Sequence, residues 1–68
     1  MIRVDKLRGV IAQKNMSQSD VAKAIGITPK TFYTKMKNGV FGSDEIDAMI
    51  SLLEIKNPAD IFLHGGNL

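Results

Sequence analysis

Apolar residues recur along this chain at steps of three and four rather than two, which predicts helices almost throughout and no strand. Val4, Leu7, Val10 and Ile11 make one apolar stripe on a first helix from about residue 3 to 14, weakened slightly by Gly9. "NMSQSD" then supplies a start signal. Ser17 can cap a second helix with Asp20 three positions on, and Met16 can pack against Val21 as a hydrophobic staple. This helix carries Val21, Ala22 and Ile25 inward and stops at Gly26, the residue best able to adopt the left-handed conformation that ends a helix.

The same device repeats after a tight turn. Thr28 is the cap, Pro29 takes the first helical position where its missing N–H costs nothing, and Ile27 faces Phe32 as a second staple. Phe32 and Met36 point inward on this third helix, and Asn38-Gly39 closes it. Its remaining face holds Lys30, Thr31, Tyr33, Thr34, Lys37 and part of Lys35. A fourth helix is capped near Ser43, with Asp44 and Glu45 in the dipole-favoured first turn and Ile46, Met49, Ile50 and Leu53 inward. Asn57-Pro58 starts a short fifth helix that places Ile61 and Phe62 on the core, and the tail from 64 to 68 is expected to fray.

Length bounds this pattern to one domain over 1–68, with the central helix pair at about 17–38. A chain of 68 residues buries only about 60% of its unfolded surface, so the core is lean. The fold class expected is all-α, a compact five-helix bundle. Apolar residues at 44% and charged residues at 24% fit a folded globule and not a disordered chain. With no cysteine, disulfides and thiolate metal sites are excluded. No apolar run approaches the ~20 residues of a membrane span, and "MIRVDKLRGV" lacks the continuous apolar stretch of a signal peptide, so a cytoplasmic location is expected.

Charge divides the chain. Residues 1–40 carry eight basic residues against Asp5 and Asp20, a net +6, whereas residues 41–68 carry Lys56 against five carboxylates, a net −4. One end thus suits a polyanion and the other does not, although two solvated faces would give the same bias. Catalysis finds no support. His64, the only histidine, lies in the tail, and Asp44, Glu45 and Asp47 sit on what reads as a solvated first turn with no nucleophile beside them. No histidine or cysteine cluster could hold zinc, and no cofactor or small-molecule ligand is expected.

Ala22, Gly26 four positions on and Phe32 six beyond that have the spacing of a helix-turn-helix. Ala22 is small where two helices cross, Gly26 turns the backbone, and Phe32 locks the second helix onto the first. Around these residues the chain resembles the phage repressor and Cro-type helix-turn-helix family. "MSQSDVAKAIGITPKTFYTKMKNG" carries the match, "LLEIKNPADIFL" is its usual trailer, and the likeness covers residues 6–63. The resemblance implies a lambda-repressor-like DNA-binding fold in a transcription regulator from a phage or prophage, acting in a bacterial host's nucleoid. Such a regulator is usually a dimer on a two-fold operator in double-stranded DNA and represses by occupying it.

Carried over residue by residue, the family's base-reading positions fall on Pro29, Lys30, Tyr33 and Thr34, and its phosphate-contacting positions on Gln18, Thr28, Thr31, Lys37 and Asn38. Lys30 can donate to guanine O6 and N7, Thr34 can meet a thymine methyl or a base-edge acceptor, and a helix N-terminus attracts phosphate. Pro29 departs from the family in offering only apolar contact where a bidentate side chain is common. Lys37 also departs, lengthening the segment before Asn-Gly by one residue. Each position has a plainer reading: Tyr33 as a surface aromatic, Lys35 and Lys37 as solubilising charges, Gln18 as an ordinary first-turn residue. A homodimer through the C-terminal helix, around Ile55, Phe62 and Leu63, is expected, with half-sites about 34 Å apart. The alternative function is a protein-interaction module on the same fold, antitoxin-like or antirepressor-like, which would show exposed apolar anchors in place of a basic face.

Overall fold

The computed structural model describes residues 2–62, and these form five helices and no strand: α1 Val4–Gln13, α2 Gln18–Ala24, α3 Pro29–Asn38, α4 Ser43–Leu53 and α5 Pro58–Phe62. The chain is all-α, as its periodicity predicts. The tail from 64 to 68, and with it His64, lies outside the described residues, as does Leu63.

The starts of α2 and α3 follow the sequence signals. The Asp20 N–H donates to Ser17 Oγ at 3.0 Å while the Ser17 N–H donates to Asp20 Oδ2 at 2.9 Å, so two otherwise orphaned donors are satisfied reciprocally. At α3, Thr28 Oγ1 accepts from the Thr31 N–H at 3.2 Å, with Pro29 in the first turn. The start of α4 differs from the expectation. Its cap is Gly42, not Ser43, and the Gly42 N–H is satisfied by Glu45 Oε1 reaching back at 2.8 Å. Ser43 is already helical.

Four helix ends share one closure. A residue with positive φ follows each, namely Asn15 at 57°, Gly26 at 86°, Gly39 at 70° and Glu54 at 53°. Behind each, the next N–H turns back five residues: Met16 to Ile11, Ile27 to Ala22, Val40 to Lys35 and Ile55 to Ile50. This Schellman arrangement satisfies carbonyls that the helix itself leaves open. Glycine enters the left-handed region freely, asparagine with little difficulty, and a glutamate only at a cost.

Leu7, Val21, Ala22, Phe32 and Met49 are wholly shielded at the centre of the core. Ala22 and Phe32 lie at the α2–α3 seam as the helix-turn-helix spacing requires, and Met16 and Ile27 pack half-buried beside the stapled helices. Ile2 and Phe41 join the core from outside the helices. The Phe41 ring tilts 54° against Phe32 with centroids 5.3 Å apart, so the loop after α3 is tied beneath it. The segment before α1 is anchored by the Arg3 N–H, which donates to the Ile61 carbonyl at 2.8 Å. Ile61 and Phe62 are buried, as the sequence predicts for the fifth helix, and Ile55 is half-buried.

Candidate nucleic-acid interface

α3 is fixed on one side and open on the other. Phe32 and Met36 are shielded in the core, and the opposite side exposes Lys30, Thr31, Tyr33, Thr34, Lys37 and Asn38 to solvent. Pro29 is half-buried at the helix start. Six of the nine sequence-expected base-reading and phosphate positions therefore share this surface on a single helix. Thr28 is exposed just before it, and Gln18 is half-buried at the first position of α2.

Hydrogen bonding sets what each hydroxyl has left to offer. Thr34 Oγ1 donates to the Lys30 carbonyl at 3.1 Å, so its proton is engaged within the helix. It presents outward a lone pair and a methyl group, which suit a donor on a base edge or a thymine methyl rather than the base-edge acceptor named above. Thr28 Oγ1 accepts the Thr31 N–H and donates to Thr31 Oγ1 at 2.9 Å, so Thr28 is spent on capping and the free proton of the pair belongs to Thr31.

Ion pairing sorts the nine basic residues into two groups. Arg3 pairs with Asp5 at 3.0 Å, Lys6 with Asp60 at 2.7 Å, Lys14 with Glu54 at 2.6 Å and Lys35 with Glu45 at 2.8 Å. Arg8, Lys23, Lys30, Lys37 and Lys56 form no ion pair among the described residues. Lys30 and Lys37 lie on the exposed face of α3, where their charges are available to a polyanion.

Lys35 is placed differently from its neighbours. It is half-buried, and its Nζ donates to both carboxylate oxygens of Glu45, at 2.9 and 2.8 Å. The expectation that part of Lys35 belongs to the open face is thereby corrected, and so is the reading of Glu45 as solvated: its side chain is only 16% exposed. The Lys35 hydrogen bonds, aided by the Gly42 N–H, hold the Glu45 carboxyl below its ordinary value. Asp20 is likewise lowered, chiefly by the Ser17 backbone N–H, and Asp5 and Glu54 by their cationic partners Arg3 and Lys14. Sequence spacing offers no sign of the Lys35–Glu45 pair, because residues ten apart on two different helices share no local period.

Two large apolar side chains stand in solvent near this face in sequence, Tyr33 at 50% exposure and Val40 at 64%. Val40 is held out between Gly39 and the buried Phe41, a placement no sequence signal predicted.

Among the described residues, no cluster of three His, Cys, Asp or Glu could hold a metal ion, and no helix is long and apolar enough to cross a membrane. The sequence matches the family model of the Cro/C1-type HTH DNA-binding domain over residues 6–64. No curated protein and no solved structure matches the chain. The matched span includes both capped helices, the Ala22–Phe32 seam and the free cations of α3, and the chain belongs to the Cro/C1-type helix-turn-helix family of DNA-binding transcription regulators.

Proposed function

We propose that this protein is a sequence-specific regulator, of phage or prophage origin, that lays α3 in the major groove of an operator and blocks transcription by occupying it. The observation that carries this reading is the open face of α3: Lys30 and Lys37 stay unpaired beside Thr31, Thr34 and Asn38 while Lys35 on the same helix is neutralised. Pro29, Lys30, Tyr33 and Thr34 are the base-reading group. Lys30 supplies donors for guanine, Thr34 a lone pair and methyl, Tyr33 a ring and hydroxyl, and Pro29 apolar contact. Gln18, Thr28, Thr31, Lys37 and Asn38 hold the phosphates, Thr28 through its backbone and Thr31 through its free hydroxyl proton. The chain is one domain acting in the bacterial nucleoid.

Occupying a two-fold operator calls for a homodimer. Its surface on this reading runs along α5 and the half-buried Ile55, beside a groove of about 540 Å³ between α1 and the α4–α5 loop. Half-sites are then about 34 Å apart.

Exposed Tyr33 and Val40 support a second reading, a protein-interaction module of antitoxin or antirepressor type. Selection from a library of random duplexes at two salt concentrations separates the two. A regulator enriches a palindromic motif with strongly salt-dependent affinity, whereas an interaction module binds weakly and without selection, which would remove the DNA-reading proposal.

A further inference from the structure

We propose that the Lys35–Glu45 pair is a positioning device for the reading face: it fixes the C-terminal half of α3 to α4, and its lysine is withheld from phosphate. The proposal rests on the reading of α3 as the DNA-facing helix.

Three groups converge on one carboxylate. Glu45 Oε1 accepts from Lys35 Nζ at 2.9 Å and from the Gly42 N–H at 2.8 Å, while Oε2 accepts from the same Nζ at 2.8 Å. One side chain therefore joins the last turns of α3, the connecting loop and the first turn of α4. The backbone of Lys35 is occupied as well, its carbonyl accepting the N–H groups of Gly39 at 2.8 Å and Val40 at 3.2 Å. Lys35 is thus held at both ends of the residue, next to Thr34 and two residues before Lys37.

Burial separates this pair from the other three. Lys35 and Glu45 side chains are 32% and 16% exposed, whereas the more open carboxylates of the α1 pairs are solvated. A shielded charge pair with a third donor has a defined geometry, and mobile surface pairs do not. A lysine on a DNA-facing helix that is neutralised by its own chain adds nothing to phosphate attraction. Its worth lies in where it holds the helix, because base-edge hydrogen bonds tolerate little displacement.

The test measures operator and random-duplex affinities of the wild type, Glu45→Gln, Lys35→Gln, the double variant and Lys35→Arg, at two salt concentrations. Circular dichroism at the assay temperature establishes that each is folded. Glu45→Gln keeps one acceptor oxygen for the Gly42 N–H, removes the charge and sets an NH2 donor where the second carboxylate oxygen accepts from Lys35. Glu45→Gln and Lys35→Gln should each lower the operator-to-random preference about tenfold, with the double variant no worse than either, as coupled neighbours behave. The preference is a ratio, so changes in overall charge largely cancel from it. Lys35→Arg, which keeps the charge and two-point donation, should restore it.

An undiminished preference in Glu45→Gln would overturn the proposal, leaving the pair a matter of stability alone. A fall of about one in the salt slope for Lys35→Gln would overturn it differently, by making Lys35 a phosphate ligand. A wild type with no preference for any duplex would remove the DNA-reading function itself, and that result is seen before any variant is compared.

Discussion

α1 and α3 are helices of equal length, ten residues each, and both are rich in basic side chains, yet they hold their charges in opposite ways. At α1, Arg3, Lys6 and Lys14 are each met by a carboxylate, two of these from the distant Asp60 and Glu54. On α3 only Lys35 is paired, and Lys30 and Lys37 face solvent alone. Positive charge counted along a sequence is therefore not positive charge available to a partner. Among the described residues the acidic second half meets Lys6 and Lys14 at α1, and Asp5 meets Arg3, which leaves Arg8 unpaired there against Lys30 and Lys37 at α3. Their ends differ too: no side chain caps the start of α1, whereas Thr28 and Pro29 begin α3.

The largest effect expected is on the seam that holds α3 in place. Phe32→Ala removes a wholly shielded ring that also supports Phe41, and should cost about 3–5 kcal/mol in urea unfolding. That is most of the stability of so short a chain, so the variant should be largely unfolded at 37 °C. A loss below about 1 kcal/mol would mean that α3 is not anchored through this residue.

The charge comparison itself is broken or kept by a pair of lysines. Lys37→Ala should weaken binding to all duplexes alike and reduce the slope of log affinity against log salt by about one. Lys14→Ala, whose charge Glu54 already meets, should leave the slope unchanged. Equal slopes for the two variants would show that free and paired lysines do not differ in reaching DNA. The ends offer a similar contrast in stability. Thr28→Ala removes the α3 cap and should cost ~1 kcal/mol, while Arg3→Ala, with no cap bond to lose, should leave the unfolding midpoint within error.

Acid sharpens the position of Lys35. Glu45 is lowered in the folded state, so its contribution is fully present above the ordinary carboxylate range and is lost as pH falls through the folded value. Wild type should therefore be more stable than Glu45→Gln at neutral pH, by about 1 kcal/mol or less, and the two should converge well below about pH 4. A constant difference across that range in thermal unfolding would show that the Glu45 charge carries none of the stability.

Much of this was legible because it is local. The caps at Ser17 and Thr28, the αL turns at Gly26 and Gly39, and the seam of Ala22 and Phe32 each lie within a few residues of the groups they serve. The turns at Asn15 and Glu54 close their helices by the same hydrogen bonds but carry no glycine to mark them. Glu45 misled for a related reason: an acidic residue in a first turn reads as a dipole partner, and only the fold brings Lys35 to it. Phe41 lies outside any helix, so periodicity said nothing of its place under Phe32. For the exposed face of α3 the sequence named the residues correctly as surface, since Phe32 and Met36 turn the opposite side of the helix to the core. What it could not show was which hydroxyl protons Thr28 and Thr34 had already committed.

The last contrast between α1 and α3 is a glycine in a helix interior. Gly9 weakens α1 relative to alanine, and a Cβ built there meets nothing within 4 Å, so no contact inside the chain explains it. Gly9→Ala should raise unfolding stability by roughly 0.5–1 kcal/mol. Gly9 also lines the groove beside Ile55 on which the proposed dimer surface borders. If a second copy approaches the α1 backbone there, the added methyl should weaken self-association in sedimentation even as it stabilises the monomer. A gain in stability with association unchanged would move the dimer surface away from this groove, and Gly9 would then affect only the strength of its helix.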